Sequence, residues 1–206
     1  MTQATESLPL FPLSATLLPY GRMPLQIFEQ RYLDLIRHCA RDNSGFGIVW
    51  IRAGGEVAGQ GEPSLGEVGT HARIVDYDQL PNGLLGVTVE GDRRFDLHGV
   101  ERLASGLLMG EVSWREPLEP VPMQSEWEGL ADVLRSLETH PHVEQLQPGI
   151  DYADAWSVAY QLLQLLPLEE EFKYRWLCYD SVEDVMGELE ALLNEVGGDG
   201  DEGRPH

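Results

Sequence analysis

Two kinds of hydrophobic pattern divide this chain near residue 118. Before it, short apolar runs rich in Val, Ile, Thr and aromatics are punctuated by glycine and proline; after it, apolar residues recur with helical spacing. The opening runs, Leu8-Pro-Leu-Phe-Pro-Leu13 and Met23-Pro-Leu-Gln-Ile27, are each cut by proline. Proline fixes φ and removes a donor, so Pro9, Pro12, Pro19 and Pro24 belong at strand edges, bulges or turns. A helix is expected from Phe28 or Glu29. Tyr32, Ile36 and Cys39 form its stripe with Leu33 and Leu35 beside it, while Arg31, Asp34, Arg37 and Arg41 lie mostly off it. Further strands are expected over Phe46–Ala53, Thr70–Tyr77, Leu84–Glu90, Arg94–Leu97 and Leu107–Arg115. Asn82-Gly83 supplies the positive φ values of a tight hairpin turn, and Glu56–Gly69 reads as an exposed loop. Many short strands with one helix imply an α+β fold: a small, partly closed antiparallel β-barrel with one inserted helix, closure shielding its edges.

Pro117, Pro120 and Pro122 mark the boundary, and four helical segments are expected beyond it. Ser125 with Glu128 forms a capping box ahead of Trp127, Leu130, Leu134 and Leu137. Pro141 and Pro148-Gly149 end that helix. Asp151 caps the second, an apolar run through Trp156, Ala159, Leu162 and Leu163 that Pro167 stops. A short third helix carries Phe172, Trp176 and Leu177; Ser181 caps the fourth, with Val185, Leu189, Leu192, Leu193 and Val196 inward and Gly197 as its stop. The expected organisation is a β-rich lobe over 1–118, a helical lobe over 119–196 in contact with it, and a disordered acidic tail over 197–206.

Charge sharpens this division. The net charge is −21, of which residues 1–118 contribute −5 and residues 119–206 contribute −16. Such a surface repels phosphate, so nucleic acid and anionic membrane are excluded as expected partners. It serves solubility, or steers toward a basic partner. No run approaches the roughly 20 apolar residues of a membrane helix. No Lys or Arg precedes Arg22, as a signal peptide would need, so a cytoplasmic location is the default expectation. Cys39 and Cys178 are then reduced core thiols rather than a bridge.

The chemistry of catalysis is hard to find. Lys173 is the only lysine and follows three glutamates and a phenylalanine, so no phosphate-binding loop can be written around it. There is no Cys-x-x-Cys and no His-Glu-x-x-His. His140-Pro-His142 reads as a surface loop, and Asp76-Tyr-Asp78 lacks the later ligands of a calcium loop. Ser44 and Ser105 both miss the glycine that a nucleophile elbow requires upstream. No cofactor, metal site or catalytic residue is therefore expected. Glu29, at a helix start where the dipole favours a carboxylate, is a candidate to pair with Arg94 and tie the helix to the barrel; independent surface charges are the alternative.

The order of certain segments carries a further signal. Leu8–Leu13 and Met23–Tyr32 are followed by Phe46-Gly-Ile-Val49, Val68-Gly-Thr70, Ala72-Arg-Ile74 and Leu80-Pro-Asn-Gly83. Val89-Glu-Gly-Asp-Arg-Arg-Phe95 and Leu166-Pro-Leu-Glu-Glu-Glu-Phe-Lys173 come after them. In this sequence and order they resemble the N-terminal domain of ATP-dependent Lon proteases, also found as a small stand-alone protein and within cereblon. The resemblance spans Leu8 to about Val196. It implies a non-catalytic module that binds proteins or unfolded polypeptides, without the ATPase and Ser–Lys protease domains that lie downstream in full-length Lon.

Binding of unfolded chains calls for exposed apolar or aromatic surface, or an open strand edge. The proline-rich segment Leu17–Met23 is the candidate surface, with Leu18, Tyr20 and Met23 as contact residues; packing of these residues on the barrel is the alternative. Three readings of function follow. The first is client recognition or an adaptor role linked to proteolysis or quality control. The second is a regulator that docks on Lon or another large assembly through its acidic helical lobe. The third is an undetected enzyme or small-ligand binder. Oligomeric state is left open.

Overall fold

The computed structural model describes residues 4–54, 63–146 and 149–198, with side chains described as far as residue 195. Six strands, β1 (Glu6–Leu13), β2 (Arg22–Ile27), β3 (Phe46–Ala53), β4 (Ser64–Gln79), β5 (Leu85–Arg102) and β6 (Leu108–Trp114), form one sheet in the order β2-β5-β4-β3-β1-β6. Pairing of β5 with β6 bends that sheet into a partly closed ring. All but one of the pairings are antiparallel. β1 and β3 run parallel, against the all-antiparallel expectation, because helix α1 (Gln30–Asp42) lies between them in sequence and carries the chain back across the sheet.

The prolines of β1 explain their own placement. Pro9 faces Met109 of β6 and lies before the β3 pairing begins; Pro12 faces Val49 of β3 and lies beyond the β6 pairing. Each sits where one side of the strand has no neighbour to receive a donor. Pro24 lies in β2, whose only sheet partner among the described residues is β5.

β5 is longer than the sequence suggested. The runs at Leu84–Glu90 and Arg94–Leu97 are one strand, kept continuous through Gly91 by two register shifts against β4: an extra residue in β5 opposite Thr70–Ala72 and an extra residue in β4 between Ile74 and Asp76. The expected loop at Glu56–Gly69 also gives way, since β4 already begins at Ser64; residues 55–62 lie outside the described segments. At the β4–β5 hairpin only Gly83 takes a positive φ, +81°, while Asn82 uses its side chain to accept from the Leu84 amide.

Inside the ring, Phe95 is fully buried with Leu8, Leu10, Val49, Leu108 and Val112. A Cβ on Gly69 would lie 2.3 Å from the Phe95 ring, so the ring closes around this aromatic only with hydrogen at that position. A second cluster forms where α1 packs on the sheet: Tyr32, Leu35, Ile36 and Cys39 meet Phe11, Ile27, Phe46, Ile48, Val87 and Val89. The stripe read from the sequence is the one that is buried.

The third and largest cluster belongs to helices α2 (Glu128–Glu138), α4 (Ala155–Leu165), α5 (Glu170–Leu177) and α6 (Val182–Gly198), with the short α3 (Pro141–Leu146) outside it. α3 was not expected: Pro141 starts this helix as well as following the previous one, a position proline tolerates because the first-turn amide has no intrahelical partner. Ser125 makes no capping box, since Ser125–Trp127 is a 3₁₀ turn whose entry carries no side-chain cap. The cap of α4 is Asp154, not Asp151. Its Oδ1 accepts from the Trp156 amide and from Val121, a long-range bond that local sequence does not encode. Ser181 caps α6 through the Asp184 amide. That helix runs past Gly197 to Gly198, and residues 199–206 of the expected tail lie outside the described segments. Among the described residues no helix is long and apolar enough to cross a membrane.

Candidate functional site

The segment proposed as a contact surface is the joint between ring and helices. Leu17 is buried in the α1 cluster and its neighbour Leu18 in the helical cluster, so consecutive side chains enter two different cores. Leu18 is 0% exposed and cannot meet a client, which corrects the expectation for that residue. Tyr20 is half-buried against the helical cluster, and Met23 half-buried against the α1 cluster. Their shared apolar character reflects packing between elements.

The backbone of this segment is held from both sides. Thr70 donates its hydroxyl to the Leu17 carbonyl at 2.6 Å, and the Leu18 amide donates to Gln164 Oε1 at 2.9 Å. Gln164 Nε2 reaches the Thr16 carbonyl, and Gln161 Nε2 reaches that of Tyr20. The Thr16 amide donates to Glu170 Oε2 at 2.6 Å. Gly91 exchanges backbone bonds with the segment, accepting from Tyr20 and donating to Gly21. Tyr20 sits at φ +63°, and a Cβ on Gly91 would come within 2.1 Å of the Leu18 carbonyl oxygen. Burial, then Asp154, Asp92 and Asp151, push the Tyr20 phenol above its ordinary value. Gln161 and Gln164 were not anticipated. Their signal was present as two amides one helical turn apart in an otherwise apolar run, Tyr160-Gln-Leu-Leu-Gln-Leu165.

Arg94 makes the second connection. The sequence paired it with Glu29, but Glu29 binds Arg31 at 3.0 Å, and Arg94 turns to the helices. Its guanidinium is buried and donates to the carbonyls of Leu177 and Tyr179 and to Asp180 at 2.8 Å. Arg115 adds a bond to the Cys178 carbonyl at 3.1 Å while pairing with Asp96. Two arginines thus satisfy the carbonyl of the last residue of α5 and those of the two residues that follow it. The Arg94 Nε and the hydroxyl of fully buried Tyr160 find no partner among the described residues.

Two grooves open beside this joint and share Arg94 and the connector Glu116–Leu118. The larger, about 630 Å³, has apolar residues Leu118, Val121, Trp156 and Val182 set among Glu119 and Glu183. The smaller, about 380 Å³, runs past Pro19 and Tyr20 to Arg73, Glu90 and Asp92. In the larger, half-buried Leu118 and Val121 lie among carboxylates that outnumber Arg94 and Arg115; in the smaller, Tyr20 lies among charges of both signs, Arg73 and Arg93 beside Glu90 and Asp92. Glu90 is held between Arg22 and Arg73, and Asp92 faces His71 at 3.5 Å. Burial lowers the His71 imidazole below its ordinary value, with Asp92 opposing the shift.

Other positions singled out in the sequence stay apart from this site. Lys173 is buried, pairing with Glu170 and reaching the Gln164 carbonyl. His140 and His142 are exposed neighbours with ring centroids 5.4 Å apart. Among the described residues no group of three His, Cys, Asp or Glu side chains converges as metal ligands would. Cys39 and Cys178 are free thiols, each raised in pKa chiefly by burial.

Comparison with known proteins agrees with this architecture. The family description "ATP-dependent protease La (LON) substrate-binding domain" matches residues 7–194. A Lon N-terminal domain protein from Xanthomonas campestris is 34% identical, superposes with a TM-score of 0.71, and shares 90% of this chain and 98% of its own. The N-terminal domain of Mycobacterium avium complex Lon protease superposes with a TM-score of 0.61 at 16% identity, covering 89% of this chain and 96% of that one; this likeness is one of fold. No curated protein matches. With its family match spanning both the ring and the helices, the chain belongs to the LON substrate-binding domain family.

Proposed function

We propose that this protein is a non-catalytic, ATP-independent polypeptide-binding module that recognises clients or serves as an adaptor linked to proteolysis or quality control. The observation that carries the reading is the pair of grooves meeting at Pro117–Leu118, where half-buried Tyr20, Leu118 and Val121 lie at the seam of the fold and carboxylates outnumber arginines in the larger groove. Partly exposed apolar groups with a polar rim suit an extended chain that offers apolar and basic residues. The family supports a protein partner. Of the surface expected from the sequence, Tyr20 remains in this proposal and Leu18 does not.

The test is binding of an unfolded polypeptide to wild type and to Tyr20→Ser and Leu118→Ser. Both variants are expected to lose about tenfold in affinity, near 1.4 kcal/mol, while melting within a few degrees of wild type. Unchanged affinity in folded variants would remove the grooves from the account.

A second reading rests on the charge of −16 over residues 119–206: docking on Lon or another large assembly through the helical lobe. Crosslinking with mass spectrometry separates the two. Many unrelated unfolded clients support the first, and one stoichiometric partner supports the second.

A further inference from the structure

β4 leaves the ring before it ends. Its pairing with β3 stops at Ala72, while its pairing with β5 continues to Gln79. From Val75 onward one side of β4 faces no strand among the described residues, and Val75 through Gln79 are all exposed, Tyr77 by 50%. The hydrogen-bond alternation of an antiparallel ladder shows what this edge offers. Leu80 bonds Leu84 at the turn, so counting back, Asp78 bonds toward β5 while Tyr77 and Gln79 direct their amides and carbonyls outward. The Tyr77 amide confirms that direction, since it donates to the Asp76 carboxylate at 2.9 Å. Asp76 and Asp78 lie on one face of the strand and Tyr77 and Gln79 on the other, the latter facing Val87 and Leu85 across the ladder. Neither aspartate makes an ion pair among the described residues.

We infer that the free edge Val75–Gln79 accepts an extended polypeptide with apolar and basic residues in alternation, added as a further strand to β4. This rests on the reading that the protein binds polypeptides, and it names the kind of segment bound. Basic side chains on one face of the guest meet Asp76 and Asp78, and apolar ones on the other lie beside Tyr77. A lysine or arginine that draws Asp76 away releases the Tyr77 amide for a guest carbonyl. Charge rules against a second copy of this chain as occupant. Antiparallel self-pairing centred on Tyr77 would set Asp76 opposite Asp78, with like charges directly across the ladder. Arg73, which lines the smaller groove, lies just ahead of this edge, so an extended client can run from one to the other.

The test uses three labelled peptides in fluorescence anisotropy: alternating Val-Lys, the same composition in two blocks, and alternating Val-Glu. Reduced, carbamidomethylated lysozyme serves as an unfolded client. Alternating Val-Lys is expected to bind at least about tenfold tighter than either other peptide, a gap of about 1.4 kcal/mol. Tyr77→Pro removes the outward amide but none of the β5 bonds, and is expected to abolish that preference. The double variant Asp76→Lys with Asp78→Lys is expected to prefer alternating Val-Glu, which keeps the proposal testable if the proline variant fails to fold. Equal binding of alternating and block peptides, or an unchanged Val-Lys preference in folded Tyr77→Pro, overturns the edge as the site. If unfolded lysozyme still binds in that case, the polypeptide-binding reading stands without the edge. If neither it nor any peptide binds, both fall.

Discussion

Arg94 illustrates how much one side chain can connect. It leaves β5 and satisfies two carbonyls and a carboxylate on the segment between α5 and α6. Asp180 is exposed, so removing the arginine strands two carbonyls rather than a buried charge. Arg94→Met is therefore expected to cost about 2–3 kcal/mol in denaturant unfolding, near the upper range for hydrogen bonds to a charged group. Gly91→Ala pushes a methyl into the Leu18 carbonyl and is expected to cost about 1–3 kcal/mol, because the obstacle is backbone held by its own bonds. Tyr160→Phe removes a buried hydroxyl that has no partner among the described residues, and should leave the melting temperature unchanged or raised. His71 provides the pH dependence. Its folded pKa lies below the unfolded 6.5, so the unfolded state takes up a proton first as pH falls. Stability contributed by this residue is intact above about 6.5, declines below it, and stops declining once the folded ring also protonates. His71→Gln should flatten that part of the pH–stability curve, and the ring's NMR titration should show a midpoint below 6.5. At this scale the sequence named Arg94 but not its partner. Glu29 is held by Arg31, and nothing local marks a residue as remote as Asp180.

At the level of elements, periodicity carried most of the reading. The buried stripe of α1 follows apolar spacing, α4 is buried on every side from Ala155 to Leu163, and the strands of the ring follow the glycine-bounded runs. What escaped was settled by contacts distant in sequence. The parallel β1–β3 pair depends on where α1 delivers the chain, and the choice of Asp154 over Asp151 depends on Val121. α4 shows the same dependence from the other side. Gln161 and Gln164 turn polar atoms to the loop, and Gln164→Leu would leave the Leu18 amide and Thr16 carbonyl without their acceptor and donor. Hydrogen exchange is expected to quicken at Leu18 in that variant while the strands of the ring keep their protection. Equal acceleration throughout would mean global unfolding instead.

Across the whole molecule, ring and helices share a core: Leu18 and Val68 from the β-rich part lie within the helical cluster. The Leu17–Met23 segment was legible as a place of importance, since apolar side chains between prolines must pack somewhere. Whether they packed inward was not legible, because that depends on the helices built from residues far downstream. The grooves at this seam have no sequence signature at all: the smaller lies where Tyr20 and Glu90–Arg94 meet Glu116–Leu118, and the larger where Glu116–Val121 meets Trp156 and Asp180–Glu183. The proposed function calls for neither nucleotide nor reacting group. The most direct measurement is a titration of the purified chain, without nucleotide, against labelled unfolded lysozyme, with native lysozyme as a control of like charge and electrophoresis of the recovered client. Saturable binding that favours the unfolded form, weakens in Tyr20→Ser and Leu118→Ser, and returns the client uncut is the predicted result. Equal binding of native and unfolded forms, or client cleavage that disappears on changing a side chain of this protein, would contradict the account.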